Sequence, residues 1–209
     1  MKRLLMALAL SLAAGLFAGP FHGAPAADLS GTAAGAIPSA VANDPARDYF
    51  SDVVLVNQDG ERMRFYSDLI EDKIVVISSF FTTCTSVCPV LNGKLAQVQR
   101  ALGDRLGRDV YMISISVDPE TDTVPKLKEY AIRYGAREGW FFLSGTTANV
   151  EYVLGRLGQM VDDPDNHSTI LLVGNARTGL WKKVFGLADG SEIIRLVQEV
   201  VDDVGGELQ

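Results

Sequence analysis

Two cysteines four residues apart are the most reactive feature of this sequence. Cys84 and Cys88 lie in the stretch FFTTCTSVCP, where an apolar run ends and a helical pattern begins. Cysteines at positions i and i+4 fall on the same face of a helical turn. The free N–H groups at the start of a helix also favour thiolate over thiol. The pair therefore predicts a disulfide, a reversible redox couple or a site for a soft metal ion.

A purely structural disulfide is the alternative to a reactive pair. A bridge between Cys84 and Cys88 would close a very short loop, and short loops gain little stability from closure. A junction between a strand and a helix is also already held in place by those two elements, so it is a poor place for a purely structural disulfide. The position therefore favours redox chemistry or metal binding.

His167 is the histidine that remains once the N-terminal segment is set aside, and it directly precedes a predicted strand. A single histidine in such a place is typically a solvated loop residue, but beside a cysteine pair it is a candidate metal ligand. Two thiolates and one imidazole suit copper, because thiolates hold Cu(I) and imidazole tolerates Cu(II). A structural zinc site would usually take a fourth protein ligand. We interpret Met63, Met112 and Met160 as core residues.

Strand and helix patterns alternate from residue 53 onward. Two continuous apolar runs, at 74–81 and 110–117, predict buried strands, and apolar residues repeating every three or four positions predict amphipathic helices. The other predicted strands are 53–56, 62–66, 140–143, 169–173 and 180–185, and the predicted helices are 90–102, 124–134, 150–157 and 193–201.

This order of elements resembles an α/β thioredoxin-like sandwich with a central mixed sheet and an extra N-terminal β-hairpin. Strands that alternate with helices predict parallel pairs, and the last two strands predict an antiparallel hairpin. In such a fold the strand after His167 begins beside the start of the cysteine-bearing helix. We therefore expect the imidazole to approach both sulfurs.

The N-terminus has the three parts of a secretory signal peptide. A short basic start and an uncharged run at 4–18 are followed by an A-x-A cleavage site at Ala24 and Ala26. Export predicts a periplasmic location; the alternative is an uncleaved inner-membrane anchor, although the run is short for a span of about 20 residues. We predict a signal peptide at 1–26, a flexible leader at 27–46 and one domain at 47–209.

Composition narrows the remaining classes of function. The 209 residues carry 26 acidic and 19 basic side chains, which gives a formal net charge of −7. An acidic surface argues against nucleic acid as a partner, because phosphate contacts need Lys and Arg. Neither a phosphate-binding glycine loop nor a serine-type triad is visible in the sequence.

Beyond single residues, the chain resembles the Sco/SenC family of copper-handling proteins, which take part in assembling cytochrome c oxidase. The shared features are the lead-in FFTT with Cys84 and Cys88, the segment DPETDT at 118–123, and His167 followed by serine. The resemblance implies that the two cysteines and the histidine bind copper, as Cu(I) or Cu(II). It also implies a copper-accepting partner such as a cytochrome oxidase subunit, and an upstream copper donor or thiol reductant. Thr85-Ser86 departs from the family, where Pro-Asp is usual.

Asp118 and Asp122 follow the buried strand at 110–117, at the edge where α/β folds place functional loops. Two interpretations stay open for them. In the first, the two acids order the loop near the metal. In the second, they cap the helix that begins at Val124.

Three functions are compatible with the cysteine pair. A copper metallochaperone would bind the ion at Cys84, Cys88 and His167 and release it by ligand exchange. A thiol–disulfide oxidoreductase, which keeps an acceptor's cysteines reduced, would use Cys84 as nucleophile and Cys88 as resolving residue and needs no histidine. A peroxiredoxin-like enzyme is disfavoured, because its P-x-x-x-[ST]-x-x-C pattern is missing before Cys84. We predict the metallochaperone, with the oxidoreductase as the alternative.

Overall fold

The computed structural model describes residues 44–205. The predicted signal peptide at 1–26 lies outside the described residues, as does the predicted leader up to residue 43. Within residues 44–205, no helix has both the length and the apolar character needed to cross a membrane.

Within the described residues, the predicted strands and helices occur in the predicted order, together with two further short helices. The helices are α1 Pro45–Phe50, α2 Phe65–Leu69, α3 Val87–Leu102, α4 Val124–Arg133, α5 Thr147–Leu157 and α6 Gly190–Val201. The strands are β1 Val54–Val56, β2 Arg62–Arg64, β3 Ile74–Phe80, β4 Val110–Ser116, β5 Trp140–Leu143, β6 Ile170–Asn175 and β7 Leu180–Phe185.

A five-stranded mixed sheet of order β5-β4-β3-β6-β7 forms the centre of this unit. β3 pairs in parallel with β4, and β4 with β5, whereas β6 is antiparallel to both β3 and β7. β1 and β2 form a separate antiparallel hairpin. The predicted fold class is confirmed, including the mixed sheet and the N-terminal hairpin.

β3 is the central strand, and all seven of its residues are buried. Because side chains alternate along a strand, Ile74 and Val76 join the core under α3, α4 and α6, and Val75 and Ile77 join the core under α2 and α5. Burial on both faces explains why the sequence is apolar throughout this strand. Its carboxyl end is thereby fixed between two packed layers, and the cysteine loop leaves from that end.

Two short helices have no counterpart in the sequence prediction. α1 begins at Pro45, where the Asp44 side chain caps the first turn. Residues 65–66 are assigned to a strand by their sequence pattern, and that prediction is wrong because they begin α2. The Asp68 carboxylate accepts the N–H of Arg64 at 2.7 Å, which ends β2 and starts the helix.

Candidate metal centre

The end of β3 and the start of α3 place the two cysteines. The N–H of Cys84 donates to the carbonyl of Phe81 at 3.3 Å, which turns the chain after the strand. Ser86 precedes α3 but its side chain caps nothing. The sulfur of Cys84 caps the helix instead, because it accepts the N–H of Cys88 at 3.4 Å. One sulfur therefore lies at the positive end of a 16-residue helix.

The segment that leads into β6 brings His167 to the same place, because β6 runs antiparallel beside β3. The hydroxyl of Ser79, near the end of β3, donates to the carbonyl of Ser168 at 3.0 Å. A single 3₁₀ turn at Pro164–Asn166 precedes the histidine. His167 and Cys88 are therefore neighbours in the structure, although they are 79 residues apart in the sequence. The imidazole lies beside the cysteines, as expected.

The tautomer of His167 follows from its two neighbours. Nδ1 lies 3.0 Å from the carbonyl oxygen of Pro164, and a carbonyl can only accept a hydrogen bond, so Nδ1 carries the proton. Nε2 then presents its lone pair to Sγ of Cys88 at 3.2 Å. Burial lowers the pKa of His167 below its ordinary value, outweighing the opposing effect of the Pro164 carbonyl. The imidazole is therefore neutral and has a donor atom free for a metal.

The ligand atoms of Cys84, Cys88 and His167 all lie within 4.8 Å of one another. Both cysteines are free thiols, and the three residues are 7%, 0% and 7% exposed, respectively. The donor set fits a soft ion, because two sulfurs and one neutral imidazole nitrogen converge in a dry site. The Pro164 carbonyl holds the far side of the ring, as outer partners of metal-binding histidines commonly do.

The two thiols differ in acidity. Burial alone would raise the pKa of Cys84, but hydrogen bonds from Cys88 and Ser86 outweigh it and lower this pKa below the ordinary thiol value. Burial, together with the neighbouring Cys84, raises the pKa of Cys88 to about 12. The thiolate therefore forms at Cys84 before Cys88, and Cys88 keeps its proton until a metal or a disulfide replaces it.

A comparison of the whole sequence with known families gives a match to SCO1/SenC over residues 41–201. This range is most of the chain and includes the cluster of two thiols and one imidazole. The chain belongs to the SCO1/SenC family. The resemblance seen in the sequence motifs is thereby confirmed.

Individual SCO1/SenC relatives agree with this assignment. The SCO1 protein homolog of Bacillus subtilis is 29% identical over 118 residues, which cover 55% of this chain and 60% of that protein. A SCO1/SenC family lipoprotein from Bacillus anthracis is 25% identical with a TM-score of 0.60, over 71% of this chain and 92% of that chain. Yeast Sco1 with copper bound has the same fold, with a TM-score of 0.62 at 20% identity, over 74% of this chain and 90% of that chain. The aligned part is less than two thirds of the length of the Bacillus subtilis protein.

Asp122 of this SCO1/SenC chain orders the cysteine loop. Its buried carboxylate accepts the N–H of Thr82 at 3.1 Å, the Thr82 hydroxyl, and the hydroxyl of Ser116 at 2.6 Å. No side chain caps α4, so the capping interpretation is wrong for Asp122. Asp118 has a smaller role, since among residues 44–205 its carboxylate accepts only the N–H of Thr121 within the same turn, at 3.3 Å.

A second polar contact lies beneath Cys88 on the inner side of α3. The buried Asn92 amide donates to the carbonyl of Cys88 at 3.0 Å and to the hydroxyl of Tyr130 at 3.2 Å. Tyr130 in turn stacks on Phe80 at the end of β3, with ring centroids 5.0 Å apart. These contacts tie the first turn of α3 to β3 and α4. Sequence reasoning missed Asn92, whose only signal is a polar residue on the apolar face of a helix.

The three methionines lie in different environments. Met112 is buried in the core under α3, α4 and α6, and Met63 is half-buried against the core on the other face of the sheet. Met160 is exposed in the loop after α5, so its interpretation as a core residue is wrong. The left-handed Gly158 ends α5 two residues before it.

The difference in thiol acidity predicts which cysteine reacts first. We expect iodoacetamide to modify Cys84 well before Cys88 in the reduced protein, because alkylation follows the thiolate and Cys88 is fully buried. As pH rises, the rate for Cys84 should increase through a midpoint below the ordinary thiol pKa, and the rate for Cys88 through a midpoint above it.

Peptide mass mapping of the alkylated protein measures this directly. Cys84→Ser should nearly abolish fast labelling, and Cys88→Ser should retain it. Equal labelling of both thiols at neutral pH would contradict the assigned difference in acidity.

Proposed function

We propose that this SCO1/SenC chain is a copper metallochaperone. It binds one copper ion at Cys84, Cys88 and His167 and delivers it to a copper acceptor such as a respiratory oxidase subunit. The single observation that carries the proposal is the convergence of two thiols and one imidazole nitrogen within 4.8 Å. Copper bound to yeast Sco1, a protein of the same fold, supports copper as the ion. The ion is cargo, held for transfer.

The chemistry of the three donors suits transfer in either oxidation state. Cu(I) binds well to two thiolates, and the imidazole adds a borderline donor that Cu(II) also accepts. A positive ion between two neighbouring thiolates relieves their mutual repulsion. Release then proceeds by ligand exchange, in which donors of the acceptor replace Cys84, Cys88 and His167 one at a time.

The site of action in this proposal is the periplasm. The signal-peptide pattern at 1–26 supports export. A relative from Bacillus anthracis is a lipoprotein, so membrane attachment occurs among proteins similar to this one. In this chain, an uncleaved N-terminal segment would provide such an anchor in place of a lipid.

The test of this proposal is a copper titration of the wild-type protein and of His167→Ala. We expect one copper per reduced chain in the wild type. His167→Ala should weaken Cu(II) binding by about 100-fold, equivalent to ~2.7 kcal/mol, and Cu(I) binding much less, because two thiolates suffice for Cu(I).

Asn166→Ala is the matched control, since Asn166 is exposed on the same turn and should leave both affinities unchanged. A wild-type protein that binds no stoichiometric copper would end the metallochaperone proposal.

A thiol–disulfide oxidoreductase is the second candidate, and the unequal acidity of the two thiols favours it. The Cys84 thiolate would attack a disulfide of the acceptor, forming a mixed disulfide and releasing one acceptor thiolate. Cys88 would then give up its proton and attack Cys84, leaving the acceptor reduced and this chain oxidised by two electrons. This cycle needs no imidazole. Cells that carry His167→Ala and still assemble the oxidase fully would therefore favour the reductase. Cells that lose oxidase assembly would favour the metallochaperone.

A further inference from the structure

One face of the β6–β7 hairpin is open to solvent. β7 is an edge strand of the sheet, and its residues 181, 183 and 185 share a face because side chains alternate along a strand. Trp181 packs against Phe50 with ring centroids 5.7 Å apart, and Phe50 borders the core under α2 and α5. These side chains therefore lie on the same side of the sheet as α2 and α5. We call the following residues the open face: Ile170, Leu172, Trp181, Lys183 and Phe185.

The open face is continuous along the hairpin. The ladder pairs Ile170 with Phe185, and Gly174 with Trp181. A Cβ at Gly174 would lie 2.3 Å from the indole ring, so the ring of Trp181 covers the neighbouring strand at this point. Ile170, Trp181 and Phe185 are 36%, 36% and 60% exposed. Contiguous apolar surface of this kind is typical of an interaction site.

A groove joins the open face to α1 and to the end of α5. Its cavity of about 360 Å³ is lined by Tyr49 and Phe50 of α1, by Arg156 and Leu157 of α5, and by Trp181. Tyr49 is 48% exposed, and its hydroxyl donates to the carbonyl of Arg156 at 2.7 Å. This hydrogen bond holds α1 against α5 at the groove.

Arg156 places a fixed cation beside the groove. Its guanidinium lies 5.1 Å from the ring centroids of both Tyr49 and Tyr152, in cation–π contact with each. Among residues 44–205, neither Arg156 nor the exposed Lys183 forms an ion pair. The chain as a whole has a formal net charge of −7. These two cations therefore favour the approach of an anionic group at this groove rather than elsewhere.

The side chains of this surface are those that proteins use at a membrane interface. Trp and Tyr are enriched at the level of the lipid headgroups, because each has an apolar body and a polar tip. Arg and Lys keep their stems on apolar surface while their charges reach outward. Lipid phosphates are the anions that such charges meet.

A second copy of this chain is a poor occupant of the open face. Antiparallel pairing of two β7 strands about their centre would place Lys183 opposite the same residue of the second copy. Like charges directly opposite each other in a sheet are destabilising, and lysines on an edge strand oppose pairing of this kind.

The route of the chain also favours a lipid surface. α1 begins at Pro45 and has six residues, so it spans only about 9 Å between Asp44 and the groove. The sequence before Asp44 includes the uncharged run at 4–18. An anchor retained there would attach the domain on the side of the groove.

We propose that the open face and the groove form a contact surface for a phospholipid bilayer with anionic headgroups. Tyr49, Trp181 and Phe185 enter the interfacial layer, and Arg156 and Lys183 meet lipid phosphates. This contact is separate from any anchor in residues 1–26 and involves no copper ligand.

Sedimentation with lipid vesicles tests the charged part of this surface. The chain from residue 27 onward is used, because it contains every described element and lacks the uncharged run. It should bind vesicles made of equal parts phosphatidylglycerol and phosphatidylcholine, and binding should weaken as ionic strength rises. Arg156→Gln with Lys183→Gln should lower the affinity by about 30-fold, as expected for two basic residues at an anionic surface.

Arg100→Gln with Lys126→Gln is the matched control. These exposed cations lie on α3 and α4, over the opposite face of the sheet, and the control removes the same amount of charge. It should leave the affinity near the wild-type value. Absence of vesicle binding by the wild type would overturn the proposal, and so would equal losses in the two double variants.

The two tryptophans of the chain test the apolar part. Trp140 is 0% exposed, so only Trp181 should respond to lipid. On binding, its emission should shift to shorter wavelength and be quenched by phospholipids with brominated acyl chains. Phe185→Ser should weaken binding several-fold, whereas Ile132→Ser, exposed on α4, should not. Quenching that persists in Trp181→Phe would contradict the proposed contact.

Equilibrium sedimentation without lipid distinguishes a bilayer from a second copy. A monomer that binds vesicles supports the proposal. A dimer that depends on Trp181 and Phe185, together with no vesicle binding, would assign the open face to a second copy and reject the lipid contact. None of these measurements uses copper, so their failure would leave the proposed function untouched, and vesicle binding by a chain that takes up no copper would reject the metallochaperone alone.

Discussion

Cys88→Ser is expected to lower the affinity for Cu(I) by about a thousand-fold or more, equivalent to ~4 kcal/mol. The change replaces a soft thiolate donor with a hard hydroxyl of nearly the same shape. The serine hydroxyl can still donate to Nε2 of His167, as the Cys88 thiol does at 3.2 Å. The variant should therefore fold normally and lose only the donor atom.

Competition with a Cu(I)-specific chelator measures this affinity, and denaturant unfolding checks the fold. Thr85→Ala is the matched control, because Thr85 is exposed in the same loop and belongs to neither the donor set nor its hydrogen bonds. It should bind Cu(I) within a few-fold of the wild type. If Cys88→Ser bound Cu(I) as tightly as the control, the ion would have to be held without this sulfur.

Asp122→Ala is expected to affect both stability and copper binding. It leaves the Thr82 N–H, the Thr82 hydroxyl and the Ser116 hydroxyl without their acceptor. Unpaired buried donors cost about 1–3 kcal/mol each, and partial access of water reduces the sum. We expect the free energy of unfolding to fall by roughly 2–4 kcal/mol. The Cu(I) affinity should fall by about tenfold, at the low end of the range for partners bonded directly to a metal ligand, because Asp122 acts on Cys84 only through Thr82.

Asp118→Ala is the control for this variant, because the two acids lie on the same loop. Asp118 is half-buried and accepts one bond, at 3.3 Å, so its loss should cost less than about 1 kcal/mol. Urea unfolding of both proteins, with and without copper, gives the two free energies. Equal effects of the two substitutions would show that Asp122 does not order the cysteine loop.

The sequence predicts the parts of this fold that have strong periodicity. β3 is apolar throughout because it is buried on both faces, and α3 shows its apolar stripe clearly. α2 is missed because residues 65–66 are aromatic and follow a strand, while the event that ends the strand is a single contact from Asp68 to the backbone of Arg64. Local patterns do not contain such a contact.

The candidate site is likewise only partly predictable from the sequence. Cys84, Cys88 and His167 can be chosen from the sequence because their side chains are rare and chemically distinctive. Thr82, Ser116 and Asn92 are common polar residues, and their importance arises only from burial beside Asp122 or Cys88. The Pro164 carbonyl, which fixes the tautomer of the histidine, has no side-chain signal at all.

The two pieces of chain that supply the donors are brought together by the pairing of β3 with β6, since Cys88 and His167 are 79 residues apart. An unfolded chain has no such pairing and therefore no complete set of donors. Loading with metal must then follow completion of the sheet. Once bound, the ion acts as a reversible cross-link between distant segments and adds its binding free energy to the folded state alone.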